Sequence, residues 1–270
     1  MRWNVGSEVI TGEKMKSIEL FAGIGGISLA AEWAGIETVA FCEQNAFCQK
    51  VLNKNFPSVP IFDDVCTLNR QLLEEKGVIE PGGTIDIISG GFPCQPYSIA
   101  GEQRGTEDDR DLWPEMFRLI KELRPTWVVG ENVANFANME LDRTLSDLES
   151  EGYKGKSFII PALAIGAPHR RDRVFVVGYL PNANSIGYKG TERLPENNDK
   201  VTKWRKSTFR TVTKLFNGVD WGKRARESGF LGSDDGVPNR LDRIKGLGNA
   251  VVPQQIYPIF KAIMDQEATE

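Results

Sequence analysis

Histidine is almost absent from this sequence of 270 residues, which contains a single imidazole, that of His169. A site built from several histidines, such as a His-rich zinc centre, is therefore excluded. The four cysteines contain no C-x-x-C pair and no spacing typical of a disulfide framework. We therefore expect no metal site, and we expect a protein of a reducing compartment, the cytoplasm.

Long apolar runs are absent as well. No segment approaches the roughly 20 apolar residues that span a bilayer, and residues 1–17 lack the apolar core of a secretory signal. The composition, 40% hydrophobic and 26% charged, is that of an ordinary globular protein. These features predict a chain that makes no contact with a membrane.

Short apolar runs alternate with amphipathic segments from about residue 17 to residue 180. SIELFAG, ETVAFCE, PIFDDV, TIDIISG and TWVVGENV predict strands, and the segments between most of them predict helices. KSFIIPALAIG and RVFVVGYL predict two further strands. This alternation is typical of an α/β fold with a doubly wound, mainly parallel sheet. Ligands of such sheets bind beyond the carboxyl ends of the strands.

The pattern changes after Leu180, where periodicity weakens. Residues 189–226 carry eleven basic and four acidic side chains, a local charge of +7 in a chain whose net charge is −4. Trp204, Phe209 and Trp221 lie among them. A solvated charged face and a nucleic-acid surface both fit this composition, and the aromatic residues favour the second. We predict a main domain of residues 1–180 plus 244–270 and a small basic region of residues 181–243.

The glycine-rich stretch FAGIGG, residues 21–26, lies between a predicted strand and a predicted helix. Gly23 and Gly25 permit a tight turn and the approach of a ligand to the backbone, although Ser28 replaces the third glycine of a dinucleotide motif. Glu43 ends the next strand, 20 residues after Gly23, and Asp64 ends the one after it. Two acids at successive strand ends favour a cofactor that contains adenosine.

A cysteine between two prolines, Cys94 in GGFPCQPYS, follows the strand TIDIISG. It is either an inert thiol or a nucleophile held at the ligand-binding edge. Glu131 ends a neighbouring strand, where a solvated cap is the simpler interpretation. Arg171 and Arg173 lie at the start of a strand with period two, so both are expected on one face. The remaining cysteines lie in apolar or helical contexts and are expected to be inert; they are Cys42, Cys48 and Cys66.

These segments, taken in order, resemble the cytosine-5 DNA methyltransferases. The blocks that carry the resemblance are FAGIGG, Glu43, Asp64, PCQ, ENV, the Arg-x-Arg of HRRDR, and GNAV. They cover residues 17–180 and 240–265, nearly everything except the basic region. The resemblance implies a Rossmann-like methyltransferase fold that binds S-adenosylmethionine, with the basic region as a DNA-recognition domain.

The family's activity implies transfer of a methyl group from S-adenosylmethionine to C5 of a flipped-out cytosine in a specific duplex DNA sequence. By this resemblance Cys94 adds to C6 of the base, which makes C5 nucleophilic, and is later expelled. Glu131 would hold N3 and the exocyclic amine, and Arg173 would contact the carbonyl with Arg171 beside it.

The resemblance also implies which residues bind the cofactor and the DNA. The implied cofactor-binding residues are Phe21, Gly23, Gly25, Gly26, Glu43, Gln44, Asp64, Val65 and Asn249. The implied DNA-binding residues are Gln95, Ser98, Arg110, Lys203, Arg205, Lys206 and Arg210. Two positions depart from the family: His169 stands where glutamine is usual, and Gln44 stands where a large apolar side chain is common.

Three other functions compete with DNA methylation. A branch of the same family methylates tRNA, although its Cys-Phe-Thr signature is missing here. A catalytically silent DNA-binding relative would not need all of Cys94, Glu131, Arg171 and Arg173. A nicotinamide-dependent oxidoreductase would need a hydride-transfer site that we do not find. We expect a monomer that binds double-stranded DNA, and a cognate restriction endonuclease is a compatible partner that need not bind it.

Overall fold

A computed structural model of the chain describes residues 14–93, 111–134, 136, 140–167, 170–181, 242, 246 and 249–268. Seven strands lie in these ranges: β1 (Lys16–Leu20), β2 (Glu37–Cys42), β3 (Ile61–Phe62), β4 (Ile87–Gly90), β5 (Trp127–Val133), β6 (Lys154–Ile160) and β7 (Arg173–Tyr179). They form one sheet in the order β3-β2-β1-β4-β5-β7-β6. The first five strands run parallel, and β7 pairs antiparallel with both β5 and β6. The predicted α/β fold with a mainly parallel sheet is confirmed.

Six α-helices belong to the described part of the chain: α1 (Gly26–Ala34), α2 (Ala46–Asn55), α3 (Arg70–Glu75), α4 (Trp113–Leu123), α5 (Leu141–Ser150) and α6 (Pro253–Glu267). Local chemistry fixes their ends. Gly35 ends α1 in the left-handed conformation that glycine tolerates, with φ 90°. The side chain of Asn45 begins α2 by accepting hydrogen bonds from the backbone N–H groups of Phe47 and Cys48.

The core lies on both faces of the sheet, because successive strand residues point to opposite sides. Ile88 and Val128 face one side, where they join the buried side chains of α4. Ile87 and Val129 face the other side, where α1 and α6 cover them. Burial of each such side chain contributes roughly 1.5–3 kcal/mol relative to exposure. The two packed faces hold the strand ends, and hence the loops beyond them, in fixed positions.

Several local predictions need correction. The strand predicted over KSFIIPALAIG ends at Ile160, and a 3-10 helix (Ala162–Ile165) follows Pro161, which has no N–H for a sheet bond. Helix α3 was not predicted, because six residues are too few to show a helical period. Cys66 is exposed in a turn, in contrast to the buried Cys42 and Cys48. None of the described helices is long and apolar enough to cross a membrane.

The predicted basic region lies outside the described residues except for Pro181 and Asp242. The division into residues 1–180 plus 244–270 and residues 181–243 therefore stays a prediction. The return of the chain to the main domain is visible, since α6 packs along α1 and buries Ile256, Ile259 and Phe260 completely.

Candidate active site

The carboxyl ends of four neighbouring strands meet at one edge of the sheet. β1 leads into the glycine-rich residues 21–26, β2 ends just before Glu43, β4 leads into residues 91–93, and β5 carries Glu131. These strands run parallel, so their carboxyl ends lie side by side although they are far apart in the sequence. This is the edge at which doubly wound sheets bind ligands.

The glycine-rich loop is held in backbone conformations that few residues adopt. Phe21 has φ 54° and Gly23 has φ 55°, both in the left-handed region. Such a conformation is costly for a non-glycine residue and is often found at ligand sites. A Cβ atom placed on Gly23 would meet no described atom within 4 Å, so the backbone is open there. Phe21 itself is half-buried and packs against the core.

The other two predicted glycines have packing roles. A Cβ atom on Gly25 would lie 2.8 Å from the ring of Phe56, and one on Gly26 would lie 2.5 Å from the carbonyl oxygen of Val251. Gly25 also has φ 85°, which disfavours any other residue. Both glycines therefore let the loop lie close to its neighbours, and their contact with a cofactor stays a prediction.

Glu43 holds the glycine-rich loop from the adjacent strand. Its carboxylate accepts a hydrogen bond from the backbone N–H of Gly23 at 2.7 Å and another from that of Asn45 at 2.6 Å. The two bonds use one carboxylate oxygen each, and a carboxylate offers about four acceptor sites in all. The side chain can therefore still accept hydroxyl donors beside the open backbone at Gly23, so this site fits the ribose of S-adenosylmethionine.

The remaining predicted cofactor residues differ in exposure. Asp64 is exposed, and its carboxylate accepts the N–H of Cys66 at 2.9 Å. Gln44 is also exposed, whereas Val65 is buried in the core. Asn249 is exposed at the beginning of the segment that leads into α6. The positions of Asp64 and Gln44 leave their side chains available to a ligand, while Val65 contributes through packing.

A buried carboxyl group lies beneath the glycine-rich loop, and the sequence analysis missed it. Glu19 on β1 is 1% exposed and accepts hydrogen bonds from both the backbone N–H, at 2.8 Å, and the hydroxyl of Ser28. Thr38 donates in turn to the Ser28 hydroxyl at 3.0 Å. Burial raises the pKa of Glu19 to about 8. This network explains Ser28 in place of the third glycine. The available signal was an acid between two apolar strand residues, Ile18 and Leu20.

An ion pair occupies the end of β5. The Nε atom of Arg173 lies 2.7 Å from a carboxylate oxygen of Glu131, and Glu131 is 7% exposed. Burial raises the pKa of Glu131, and the positive charges of Arg173 and Arg171 oppose that rise. Burial and the nearby charge of Arg173 lower the pKa of Arg171. The structure thus brings Glu131, Arg171 and Arg173 close together, and their roles toward a base stay predictions.

The geometry of the two arginines differs from the prediction. β7 begins at Arg173, and Arg171 lies before the strand with φ 36°, so the period of two does not apply to it. Its guanidinium donates a hydrogen bond to the carbonyl oxygen of Ala250 at 2.6 Å. Arg171 is therefore brought near Glu131 by a turn and by the segment before α6.

A buried amide connects the ion pair to the segment that leads to Cys94. Asn132, next to Glu131, is 4% exposed and donates a hydrogen bond to the carbonyl oxygen of Phe92 at 3.1 Å. A Cβ atom on Gly91 would lie 3.0 Å from the Glu131 carboxylate. Residues 91–93 thus pass directly beside Glu131. The sequence analysis did not single out Asn132, whose only signal was its place in ENV.

The other predicted site residues lie outside the described part of the chain. They are Cys94, Gln95, Ser98, Arg110, His169, Lys203, Arg205, Lys206 and Arg210. Their roles stay predictions, and the described residues fix only where the segments that contain them begin and end.

Comparison with known proteins identifies the family. The model of the C-5 cytosine-specific DNA methylase family matches residues 15–225, which is more than half of the chain. The chain belongs to this family. Members of the C-5 cytosine-specific DNA methylases use S-adenosylmethionine as methyl donor, in agreement with the open glycine-rich loop and Glu43. The family resemblance inferred from the sequence is confirmed.

Individual C-5 methylases are similar over different parts of the chain. The type II methyltransferase M.HpaII of Haemophilus parainfluenzae is 31% identical and matches 90% of this chain and 71% of its own length. M.PspPI of Psychrobacter sp. (strain TA137) is 36% identical over 60% of this chain, but this match covers only 38% of M.PspPI. The chain thus spans less than half the length of that relative.

The structure of the Entamoeba histolytica methyltransferase EhMeth has the same fold. It aligns with a TM-score of 0.63 and 18% identity, and the alignment covers 94% of this chain and 99% of the other. At this level of identity the likeness supports the Rossmann-like methyltransferase fold alone.

Proposed function

We propose that this C-5 methylase transfers a methyl group from S-adenosylmethionine to C5 of a flipped-out cytosine in a specific duplex DNA sequence. The observation that carries the proposal is the buried Glu131–Arg173 pair, with 2.7 Å between the two groups, beside the segment that leads to Cys94. A carboxyl group and a guanidinium at a fixed spacing match the amine, N3 and carbonyl edge of cytosine. A flipped base is the only way for a duplex to present that edge together with C5 and C6.

Glu131 is the proposed group that holds and protonates the base. Burial raises the pKa of Glu131, which makes its carboxylate more basic and therefore better able to take up a proton and pass it to N3. The carboxyl group also accepts a hydrogen bond from the exocyclic amine, and Arg173 donates to the cytosine carbonyl. Protonation at N3 withdraws electrons from C6 and makes that carbon more susceptible to a nucleophile.

Cys94 is the proposed nucleophile. Its thiolate adds to C6, the C5–C6 double bond shifts its electrons toward N3, and C5 becomes nucleophilic. S-adenosylmethionine, held by the glycine-rich loop and Glu43, would supply the methyl group that C5 accepts, with S-adenosylhomocysteine as the leaving group. A base then removes the C5 proton, the double bond re-forms and the bond between C6 and Cys94 breaks, so the thiolate is regenerated.

The glycine-rich loop and Glu43 are the proposed cofactor site. The carboxylate of Glu43, fixed by the N–H groups of Gly23 and Asn45, would accept the ribose hydroxyls. The exposed carboxylate of Asp64 at the next strand end would accept the adenine amine. The region of residues 181–243 would contact DNA phosphates and base edges, so its binding should weaken as salt rises. We propose a monomer that needs no endonuclease partner.

Bisulfite sequencing of DNA from a bacterial host that lacks cytosine-5 methylation tests the proposal. Expression of the chain should give a recurring methylated site, and Cys94→Ser should abolish it while leaving the binding of S-adenosylmethionine intact. Cys48→Ala is the matched control, because burial raises the pKa of that thiol to about 11 and keeps it protonated. Unmethylated DNA together with methylated tRNA from the same cells would show an RNA substrate. A catalytically silent DNA-binding protein would methylate neither DNA nor tRNA.

A further inference from the structure

Gln255 is a completely buried amide in the first turn of α6. Its Nε2 atom donates hydrogen bonds to the carbonyl oxygens of Ile160, at 2.6 Å, and Arg171, at 3.0 Å. Both partners are carbonyl oxygens, so the nitrogen of the amide must face them. Burial of a polar side chain is costly unless it is hydrogen-bonded, and these two bonds satisfy the amide nitrogen. The positions of these two partners in the chain indicate what the Gln255 amide does.

The two carbonyl groups lie at the ends of the connection between β6 and β7. Ile160 is the last residue of β6, and its register partner on β7 is Arg173. Arg171 lies two residues before Arg173. A single amide therefore holds the end of one strand and the approach to the next. The N–H of Ala162 closes the connection further by donating to the carbonyl oxygen of Arg170 at 2.6 Å.

The backbone at Arg171 needs such support. Its φ of 36° lies in the left-handed region, which is unfavourable for a non-glycine residue. Conformations of this kind persist where the surroundings determine them. The carbonyl oxygen of Arg171 is held by Gln255, and its guanidinium is held by the carbonyl oxygen of Ala250 at 2.6 Å. Both contacts come from residues 250–255.

The same residues contact the glycine-rich loop, because the carbonyl oxygen of Val251 would lie only 2.5 Å from a Cβ atom on Gly26. Residues 250–255 therefore lie between the proposed cofactor loop and the turn that sets the direction of Arg173. A displacement of that turn would change the distance between Arg173 and Glu131, where Nε now lies 2.7 Å from the carboxylate.

We propose that Gln255 is a positioning residue that holds the turn at Arg171 and thereby sets the position of Arg173 against Glu131. Its effect on the reaction rests on the proposed function, whereas its effect on the ion pair does not. A displacement of about 1 Å at a reacting group can reduce a rate by about 100-fold. Loss of the amide should therefore reduce the methyl-transfer step rather than the binding of S-adenosylmethionine.

Gln255→Met tests the proposal, because methionine has a similar length and donates no hydrogen bond. The first measurement is a pH titration of the Glu131 side-chain carboxyl by carbon-13 NMR, with its signal assigned by loss in Glu131→Gln. An opposite charge nearby lowers the pKa of a carboxyl group, typically by about 1–3 units. We expect the Glu131 midpoint to rise by roughly half a unit or more in Gln255→Met, because Arg173 is then held less firmly.

The second measurement is the single-turnover rate of methyl transfer, beside the dissociation constant of S-adenosylmethionine. In Gln255→Met the rate should fall by about 10–100-fold, and the dissociation constant should stay nearly unchanged. Ile259→Val, a core change one turn further along α6, is the matched control and should alter neither the titration nor the rate. Gln255→Asn keeps the donors on a shorter side chain, so its effect should lie between those of the wild type and Gln255→Met.

The outcomes separate the positioning role from the reaction. An unchanged Glu131 midpoint in folded Gln255→Met, or in Gln255→Asn if the methionine variant does not fold, overturns the positioning role. A shifted midpoint in a chain that methylates no nucleic acid supports the positioning role and contradicts the proposed function. A slower methyl-transfer rate with an unchanged Glu131 midpoint also contradicts the positioning role of Gln255, because the loss of rate would then not come from a displaced Arg173.

Discussion

The Nε atom of Arg173 lies 2.7 Å from a carboxylate oxygen of Glu131, and the two side chains are only 13% and 9% exposed. Arg173 is the first residue of β7, and Glu131 lies within β5, the strand with which β7 pairs. Removal of one member of such a buried pair is costly, because the other charged group stays buried without an equally close opposite charge. The pair is therefore expected to stabilise the fold, in addition to its proposed role in binding the cytosine.

Removal of one member of this pair should destabilise the chain more than removal of both charges. Arg173→Met should lower the free energy of unfolding by about 3 kcal/mol, since it leaves the Glu131 carboxylate buried without its closest cation. The double variant with Glu131→Gln should recover part of that loss. Urea unfolding of the wild type, both single variants and the double variant measures the coupling. Strictly additive changes would show that the pair contributes no mutual stabilisation.

The cofactor site should depend on Glu43. Glu43→Gln replaces a carboxylate that accepts the Gly23 and Asn45 N–H groups with a neutral amide. Hydrogen bonds to a charged group are worth roughly 1.5–3 kcal/mol, so the dissociation constant of S-adenosylmethionine should rise by about 10–100-fold. Isothermal titration calorimetry measures it directly. Glu37→Gln, at the opposite end of β2, is the matched control, and an equal loss in both variants would remove Glu43 from the site.

The sequence predicted the sheet because strands depend on local patterns. Apolar runs defined the strands, and the position of a residue at a strand end was enough to bring Glu43 and Glu131 to one edge. The same logic failed at Arg171, whose left-handed backbone breaks the period of two. That conformation depends on Ala250 and Gln255, which lie 79 and 84 residues further along the sequence. No local pattern contains such a contact.

Buried polar groups were the second class of residue that the sequence did not reveal. Glu19 lies between the apolar residues Ile18 and Leu20 of β1, and Asn132 lies next to Glu131 in ENV. Each depends on one partner from another element, Ser28 for Glu19 and the carbonyl oxygen of Phe92 for Asn132. A sequence shows that a polar residue is present but not whether tertiary contacts satisfy it.

Asn132 should hold the backbone at Phe92, from which the chain continues to Cys94. Asn132→Ala removes the donor to the Phe92 carbonyl oxygen and leaves that buried acceptor without this hydrogen bond. We expect a loss of about 1–3 kcal/mol in the free energy of unfolding and a larger fractional loss in the rate of methyl transfer. The dissociation constant of S-adenosylmethionine should change little.

Thr144→Val is the control for a change at a buried polar side chain, since Thr144 is 1% exposed on α5. Single-turnover kinetics of both variants, at a temperature where each is fully folded, compares them. A rate in Asn132→Ala equal to that in Thr144→Val would show that Asn132 acts on stability alone.

Glu19 should make the stability of the chain depend on pH. In the folded chain its carboxyl group keeps its proton up to about pH 8, because burial raises the pKa, whereas the ordinary value is 4.5. Between these two values the folded state binds more protons than the unfolded state. This group therefore lowers the free energy of unfolding as pH rises, by at most about 1.4 kcal/mol per pH unit, and its effect levels off above pH 8.

Glu19→Gln removes this titration while keeping an acceptor for Ser28. Its free energy of unfolding relative to the wild type should therefore increase steadily from about pH 4.5 to about pH 8, as measured by urea unfolding at each pH. Glu32→Gln, at an exposed position on α1, controls for the loss of one carboxylate. Parallel curves for Glu19→Gln and the wild type across this window would mean that the carboxyl group beneath the glycine-rich loop is ionised in the folded chain. The loop would then rest on a buried negative charge, and an anionic ligand would bind there less readily than a neutral or cationic one.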